Sequence, residues 1–209
     1  NLGKGKFWSQ SNENIQKIDF SEFKKPGKYV LQVDEEISFP FVISNSSDIF
    51  HDLSVASIRA FYYWRSSCEL KAPYSVFKGV DYARPLGHPD TLVFIHQSAA
   101  TEKGPVVFPL SSPKGWYDAG YYNKYVVNAG ITLHQMVLSY EMFPAYYDTL
   151  SLNIPKDDTT ICDFFNELKW EYDWLFTMQD PYDGGVYHKL TTLRFCSFVM
   201  PDKDDADRY

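Results

Sequence analysis

Apolar positions along the chain change their period at about residue 45. Before it they fall in short runs rich in β-branched and aromatic residues. One run is Gly27-Lys28-Tyr29-Val30-Leu31-Gln32-Val33 after a Lys25-Pro26-Gly27 turn, and another is Phe39-Pro40-Phe41-Val42-Ile43 after Asp34-Glu35-Glu36; Ile18-Asp19-Phe20 is a weaker third. Such runs between turn residues predict strands. Two or three strands cannot bury both their faces, so this stretch reads as the end of a larger β-sandwich. The polar break Ser44-Asn45-Ser46-Ser47-Asp48 divides residues 1–47 from residues 48–209.

Past the break the period becomes helical. Residues 52–66 carry Leu53, Ala56, Ala60, Phe61 and Trp64 on one stripe, with Asp52 placed to cap the helix. From Tyr122 a second stripe runs through Tyr125, Val126, Ala129, Leu133, Met136, Val137 and Tyr140 and stops at Phe143-Pro144. A third, over residues 160–178, places Ile161, Phe164, Phe165, Leu168, Tyr172 and Leu175 together; Gln179-Asp180-Pro181-Tyr182-Asp183-Gly184-Gly185 ends it. Residues 67–120 show no period and contain Pro73, Pro85, Pro89, Pro105, Pro109 and Pro113. Long irregular stretches in compact domains tend to carry function, held still by the elements beneath them.

Composition narrows the partners. Aromatic residues make up 18% of the 209 residues, and such rings stack on flat apolar faces like that of a pyranose. The net charge of −7 comes without a basic stripe, which argues against nucleic acid and anionic membrane. No apolar run is long enough to span a bilayer, and Asn1-Leu2-Gly3-Lys4 does not open a signal peptide. Cys68, Cys162 and Cys196 allow at most one bridge and lack metal-type spacing, so free thiols are expected.

The most specific segment is Gly115-Trp116-Tyr117-Asp118-Ala119-Gly120-Tyr121-Tyr122-Asn123-Lys124-Tyr125-Val126. It resembles the active-site pattern of family 9 glycoside hydrolases, Gly-Trp-Tyr/His-Asp-Ala-Gly-Asp-Tyr/His-Gly/Asn-Lys-Tyr-Val. Arg59-Ala60-Phe61-Tyr62-Tyr63-Trp64-Arg65 resembles the family's first barrel helix. Gln179 through Lys189 and Phe198-Val199-Met200-Pro201 resemble the loop after its third, and the strands between Gly27 and Ile43 resemble the end of the immunoglobulin-like module that precedes many of these domains. The implied fold class is mainly α: the start of an (α/α)6 barrel preceded by the C-terminal strands of an immunoglobulin-like β-sandwich. The resemblance implies hydrolysis of β-1,4-linked glucose chains (cellulose, β-glucan or cello-oligosaccharides) with inversion, outside the cell or in the periplasm. No cofactor is expected, no metal-ligating residues are assigned, and the metal content is left open. It also implies that the first sandwich strands and the later barrel, with its general-acid glutamate, lie outside this stretch. The chain then reads as an internal fragment, or as one chain of a cleaved or split protein whose partner is the remainder of the barrel as a separate chain.

Inversion needs one carboxyl group to protonate the leaving oxygen and another to deprotonate water. In the family pattern two aspartates three residues apart hold that water, and the second is the main base. Here Asp118 stands at the first position and Tyr121 at the second. A tyrosine with an ordinary pKa of about 10 is a poor base near neutral pH. A catalytically impaired carbohydrate-binding protein on the same scaffold is therefore the alternative reading. His188 matches a family histidine that contacts sugar hydroxyls. Trp116 and Tyr117 flank the carboxylate, as a cleft wall or as core. His88, Asp90 and His96 have metal-ligand chemistry without a zinc spacing and are read as a hydrogen-bonded loop. The acidic run 202–207 is read as solvated surface rather than a calcium loop.

Overall fold

A computed structural model describes residues 5–100 and 110–209, so Asn1-Leu2-Gly3-Lys4, Pro105 and Pro109 lie outside the described residues. The chain divides into two compact units, one up to His51 and one from Asp52. It is mixed rather than mainly α, at about 30% helix and 17% strand, because short strand pairs tie the irregular stretches together.

In the first unit β1 (Lys6–Trp8) pairs antiparallel with β2 (Glu13–Ile15), and β3 (Gly27–Tyr29) pairs with β6 (Phe41–Ile43), enclosing the hairpin of β4 (Gln32–Val33) and β5 (Glu36–Ile37). Asp34, at φ 53°, makes the hairpin turn. Ile18-Asp19-Phe20 is not a strand. The Asp19 carboxylate accepts from the Ser21 N–H at 3.0 Å and its hydroxyl at 2.5 Å, a side-chain turn that competes with strand pairing. None of the described residues of this unit is buried. A run of rings takes the place of a core: Phe20 on Phe41, Phe41 beside Tyr29, and Tyr29 edge-on to Phe23.

The second unit contains α1 (His51–Tyr63) from its second residue on, the hairpin β7 (Val76–Phe77) with β8 (Val80–Asp81), the pair β9 (Lys124–Tyr125) with β10 (Lys189–Leu190), α2 (Val126–Met142), α3 (Pro144–Thr149) and α4 (Asp163–Thr177). Asp52 does not cap α1. A 3-10 turn over Ser47–Phe50 runs straight into the helix, so Asp52 falls inside the first turn, where it pairs with Lys78 at 2.7 Å. Pro144 ends α2 and also starts α3, since a helix's first turn needs no N–H from it.

One core joins Ile58 and Tyr62 of α1, Leu133 and Met136 of α2, Phe164 and Leu168 of α4, and Leu150, Leu152 and Ile154 from the loop after α3. A smaller one gathers Val93, Ala129, Trp174, Met178 and Leu190. The expected stripe of α1 is not the buried one. Leu53, Ala60 and Trp64 are exposed, while Arg59 is buried because its guanidinium donates to the carbonyls of Leu152 at 2.6 Å and Tyr74 at 2.7 Å. Tyr172 of α4 is likewise exposed, and Glu167 and Glu171 are buried instead, each with a partner. The acidic end is not simply solvated: the Asp204 side chain is buried against His88, and the N–H of Tyr209 donates to the Thr191 carbonyl at 2.7 Å.

Candidate active site

The motif crosses the end of α1 as a single extended pass. The Ser66 N–H donates to the Gly115 carbonyl at 2.8 Å, and the Tyr117 N–H donates to the Trp64 carbonyl at 2.9 Å. Gly115 has a physical reason to be glycine: its φ is +81°, and an added Cβ would lie 2.7 Å from the Trp174 ring. Trp116 is held by α4, its indole N–H donating to Glu167 at 2.9 Å and its backbone N–H to Glu171 at 2.5 Å. Glu167 in turn receives two bonds from the buried Arg65 guanidinium, at 3.2 and 3.0 Å.

The chain then turns. The Asp118 N–H closes on the Asn123 carbonyl and the Tyr122 N–H on that of Ala119, both at 2.9 Å. Asp118 and Tyr121 therefore lie on a turn ahead of α2 and not on its first turn, because the chain first runs through β9, pinned by β10. The carboxylate of Asp118 is exposed and accepts two hydrogen bonds, from the Tyr121 hydroxyl at 2.5 Å and from Asn128 Nδ2, in the first turn of α2, at 2.7 Å. That bond to Asp118 pushes the Tyr121 phenol well above its usual range. Tyr121 thus stays protonated and donates a hydrogen bond to Asp118.

Asp118 lines a pocket of about 300 Å3 with Phe61 and Trp64 of α1, Trp116, Tyr117, Tyr125 and the buried Glu171. Ala60, Phe61 and Trp64, the C-terminal part of the apolar stripe of α1, line one wall of this pocket. Trp116 and Tyr117 are both buried, and both line this pocket. The Tyr117 hydroxyl reaches His88 Nδ1 at 2.9 Å, and burial raises its pKa. His188 is exposed and lines a different pocket, of about 470 Å3. It approaches Asp118 only through neighbours, its ring edge-on to Tyr125 at 6.2 Å and Tyr125 edge-on to Tyr121 at 6.3 Å. An aromatic surface not read from the sequence continues through Phe195, stacked on Tyr121 at 4.8 Å.

His88 and Asp90 belong to a hydrogen-bonded cluster, while His96 caps a 3-10 turn through Ser98. Among the described residues no group of three or more His, Cys, Asp or Glu is placed to hold a metal ion. All three cysteines are free, Cys68 buried and Cys162 and Cys196 half-buried. No described helix is long and apolar enough to cross a membrane. Asn128, Glu167, Glu171 and Arg208 were not singled out from the sequence. Asn128 and Glu171 are polar positions within helical stripes, and Arg208 sits in a run dominated by its acidic neighbours.

The profile described as "Glycosyl hydrolase family 9" matches residues 50–209, and that of a "Cellulase N-terminal ig-like domain" matches residues 1–38. The chain belongs to glycosyl hydrolase family 9, whose fold is an (α/α)6 barrel, here with an N-terminal immunoglobulin-like domain. It is 41% identical over 202 residues to a xyloglucan-specific endo-β-1,4-glucanase of Bacteroides ovatus, covering 97% of this chain and 33% of that protein. It is 33% identical over 208 residues to endoglucanase D of Acetivibrio thermocellus, covering 97% and 31%. Among solved structures, a Bacteroides ovatus family 9 protein superposes with a TM-score of 0.88 at 38% identity, over 100% of this chain and 37% of that one. The family 9 endoglucanase J30 does so with a TM-score of 0.86 at 29% identity, over 100% and 38%. The chain thus spans about a third of the length of the curated relatives it matches.

Proposed function

We propose that this chain supplies the water-activating side of a β-1,4-glucan-hydrolysing site, with Asp118 as the base. Residues 1–47 form the end of the immunoglobulin-like module, and residues 48–209 the first part of the barrel. The remaining barrel, on the same or a separate chain, brings the general acid. Water attacks the anomeric carbon from the face opposite the leaving oxygen, so the reaction inverts, and the two carboxyl groups stand about 6.5–9.5 Å apart. The observation that carries this reading is the Asp118 carboxylate, exposed at a pocket walled by Phe61, Trp64 and Tyr125. Rings of this kind offer a sugar its stacking faces. Trp116 and Tyr117 complete the wall, and His188 contacts hydroxyls further along the chain of sugars. A polymeric substrate does not cross a membrane unaided, which supports action outside the cell or in the periplasm.

A second reading, a carbohydrate-binding protein of low turnover, is favoured by the bond from Tyr121 to Asp118. The phenol O–H occupies a carboxylate oxygen that would otherwise accept from the attacking water. The test is full-length protein beside its Asp118→Asn and Tyr121→Asp variants, assayed for reducing ends on β-glucan and for binding of cello-oligosaccharides by calorimetry. Asp118→Asn is expected to lose about 10²–10⁴-fold in kcat, and Tyr121→Asp to gain by a similar factor. Unchanged kcat in Asp118→Asn sinks the assignment of the base. Binding without turnover in the natural protein, with turnover restored in Tyr121→Asp, selects the second reading.

A further inference from the structure

Beneath the turn that carries Asp118 lies a buried charge cluster that takes no part in the mechanism above. Asp90 stands between two cations, with Lys124 Nζ 2.8 Å from one carboxylate oxygen and Arg208 Nε 3.0 Å from the other. The Lys124 and Asp90 side chains are fully buried, and Arg208 is 5% exposed. Lys124 Nζ donates further to the carbonyls of Ser112 at 3.0 Å and Lys114 at 2.7 Å. Arg208 uses a second nitrogen, Nη2, to hold the carbonyl of Tyr122 at 2.8 Å. Tyr122 sits at φ +58°, the left-handed region that bulky residues rarely adopt. Such a conformation persists where the surroundings over-determine it. Arg208 is itself fixed by its backbone, because the Phe94 N–H donates to its carbonyl at 2.8 Å.

From this geometry we infer that Arg208 is a positioning residue for Asp118, acting through the Tyr122 carbonyl and backed by Asp90 and Lys124. The guanidinium is suited to the task because its rigid fork serves Asp90 and Tyr122 in two fixed directions at once. A lysine ammonium on a flexible stem keeps the charge but not the two directions. Once the carbonyl is released, Tyr122 relaxes and the turn from Asp118 to Asn123 shifts against Asn128 and the pocket. The inference rests on the assignment of Asp118 as base.

The test uses full-length protein, in the natural and the Tyr121→Asp backgrounds. Arg208→Lys retains a cation opposite Asp90 but loses the fork. Arg208→Gln leaves Asp90 matched by Lys124 alone and serves if the first variant does not fold. In each, kcat per folded molecule is expected to fall about 10–100-fold, the scale of a misplaced catalytic group, while KM changes by less than about three-fold. Asp163→Asn is the control: it weakens the start of α4, where Asp163 accepts from the Leu152 N–H at 2.7 Å and pairs with Lys156. It should lower the thermal midpoint and leave kcat alone. Arg208 variants that behave like this control, less stable but equally fast, overturn the inference. Absence of turnover in both parent backgrounds refutes the Asp118 assignment itself, before any change at Arg208, and the inference falls with it.

Discussion

Glu167 offers the sharpest test of how the pocket wall is held. Its side chain is fully buried, as is that of Arg65, 3.0 Å away, and one of its oxygens also accepts the Trp116 indole N–H at 2.9 Å. Glu167→Ala removes the partner of a buried guanidinium and leaves that indole N–H without an acceptor. Breaking a buried pair from one side costs about 3–5 kcal/mol, and an orphaned buried donor about 1–3 kcal/mol. Water entering the vacated space offsets part of this, so we expect a loss of about 4 kcal/mol. Glu167→Gln keeps the shape and one acceptor and should lose about 2 kcal/mol, since bonds to charged groups contribute about 1.5–3 kcal/mol. The double change Arg65→Met with Glu167→Met removes both charges and fills the space. It should lose less than Glu167→Ala alone, because apolar replacement of a buried ion pair is often near neutral. Urea unfolding of the three variants, with midpoints converted through a common slope, measures the series. A double variant less stable than Glu167→Ala would refute the argument that the unpaired charge dominates.

Gly115→Ala forces a Cβ to within 2.7 Å of the Trp174 ring at a φ of +81° and should cost about 3 kcal/mol, read from the same urea transitions. A loss below about 1 kcal/mol would mean that Trp174 moves aside freely. Burial pushes the Glu171 carboxyl up to about 8, from an ordinary value of 4.5. The folded state then holds a proton that the unfolded chain has released between those values. The stability Glu171 contributes is full below about pH 4.5 and is lost as pH rises through about 8. Glu171→Gln, which mimics the protonated acid, should flatten that decline and gain about 2–4 kcal/mol at pH 8, at 1.36 kcal/mol per pH unit. Parallel stability curves for the two proteins between pH 5 and 8 would contradict the burial argument.

The helical stripes of α2 and α4 were legible because their apolar spacing coincides with the face that packs. Ala129, Leu133, Met136, Phe164 and Leu168 are all buried. The stripe of α1 misled for an equally physical reason. Arg59 is buried through carbonyl partners that come from residues 74 and 152–153, too far along the chain for local spacing to register, and the apolar side was left to face the pocket. In the same way Asp204 reads as one of several surface carboxylates until His88 is found against it.

The sequence by itself determined the family motif, the carboxylate at Asp118, the tyrosine at position 121 and the existence of three main helices, since each depends on residue type or on spacing within one element. Only the tertiary structure decided that Tyr121 donates to Asp118, that His188 opens onto another pocket, and that Glu167, Asp90 and Arg208 brace the motif from 51, 28 and 90 residues away from Trp116, Asp118 and Asp118. Buried charges must find partners wherever the fold brings them, and no local pattern records which ones they meet.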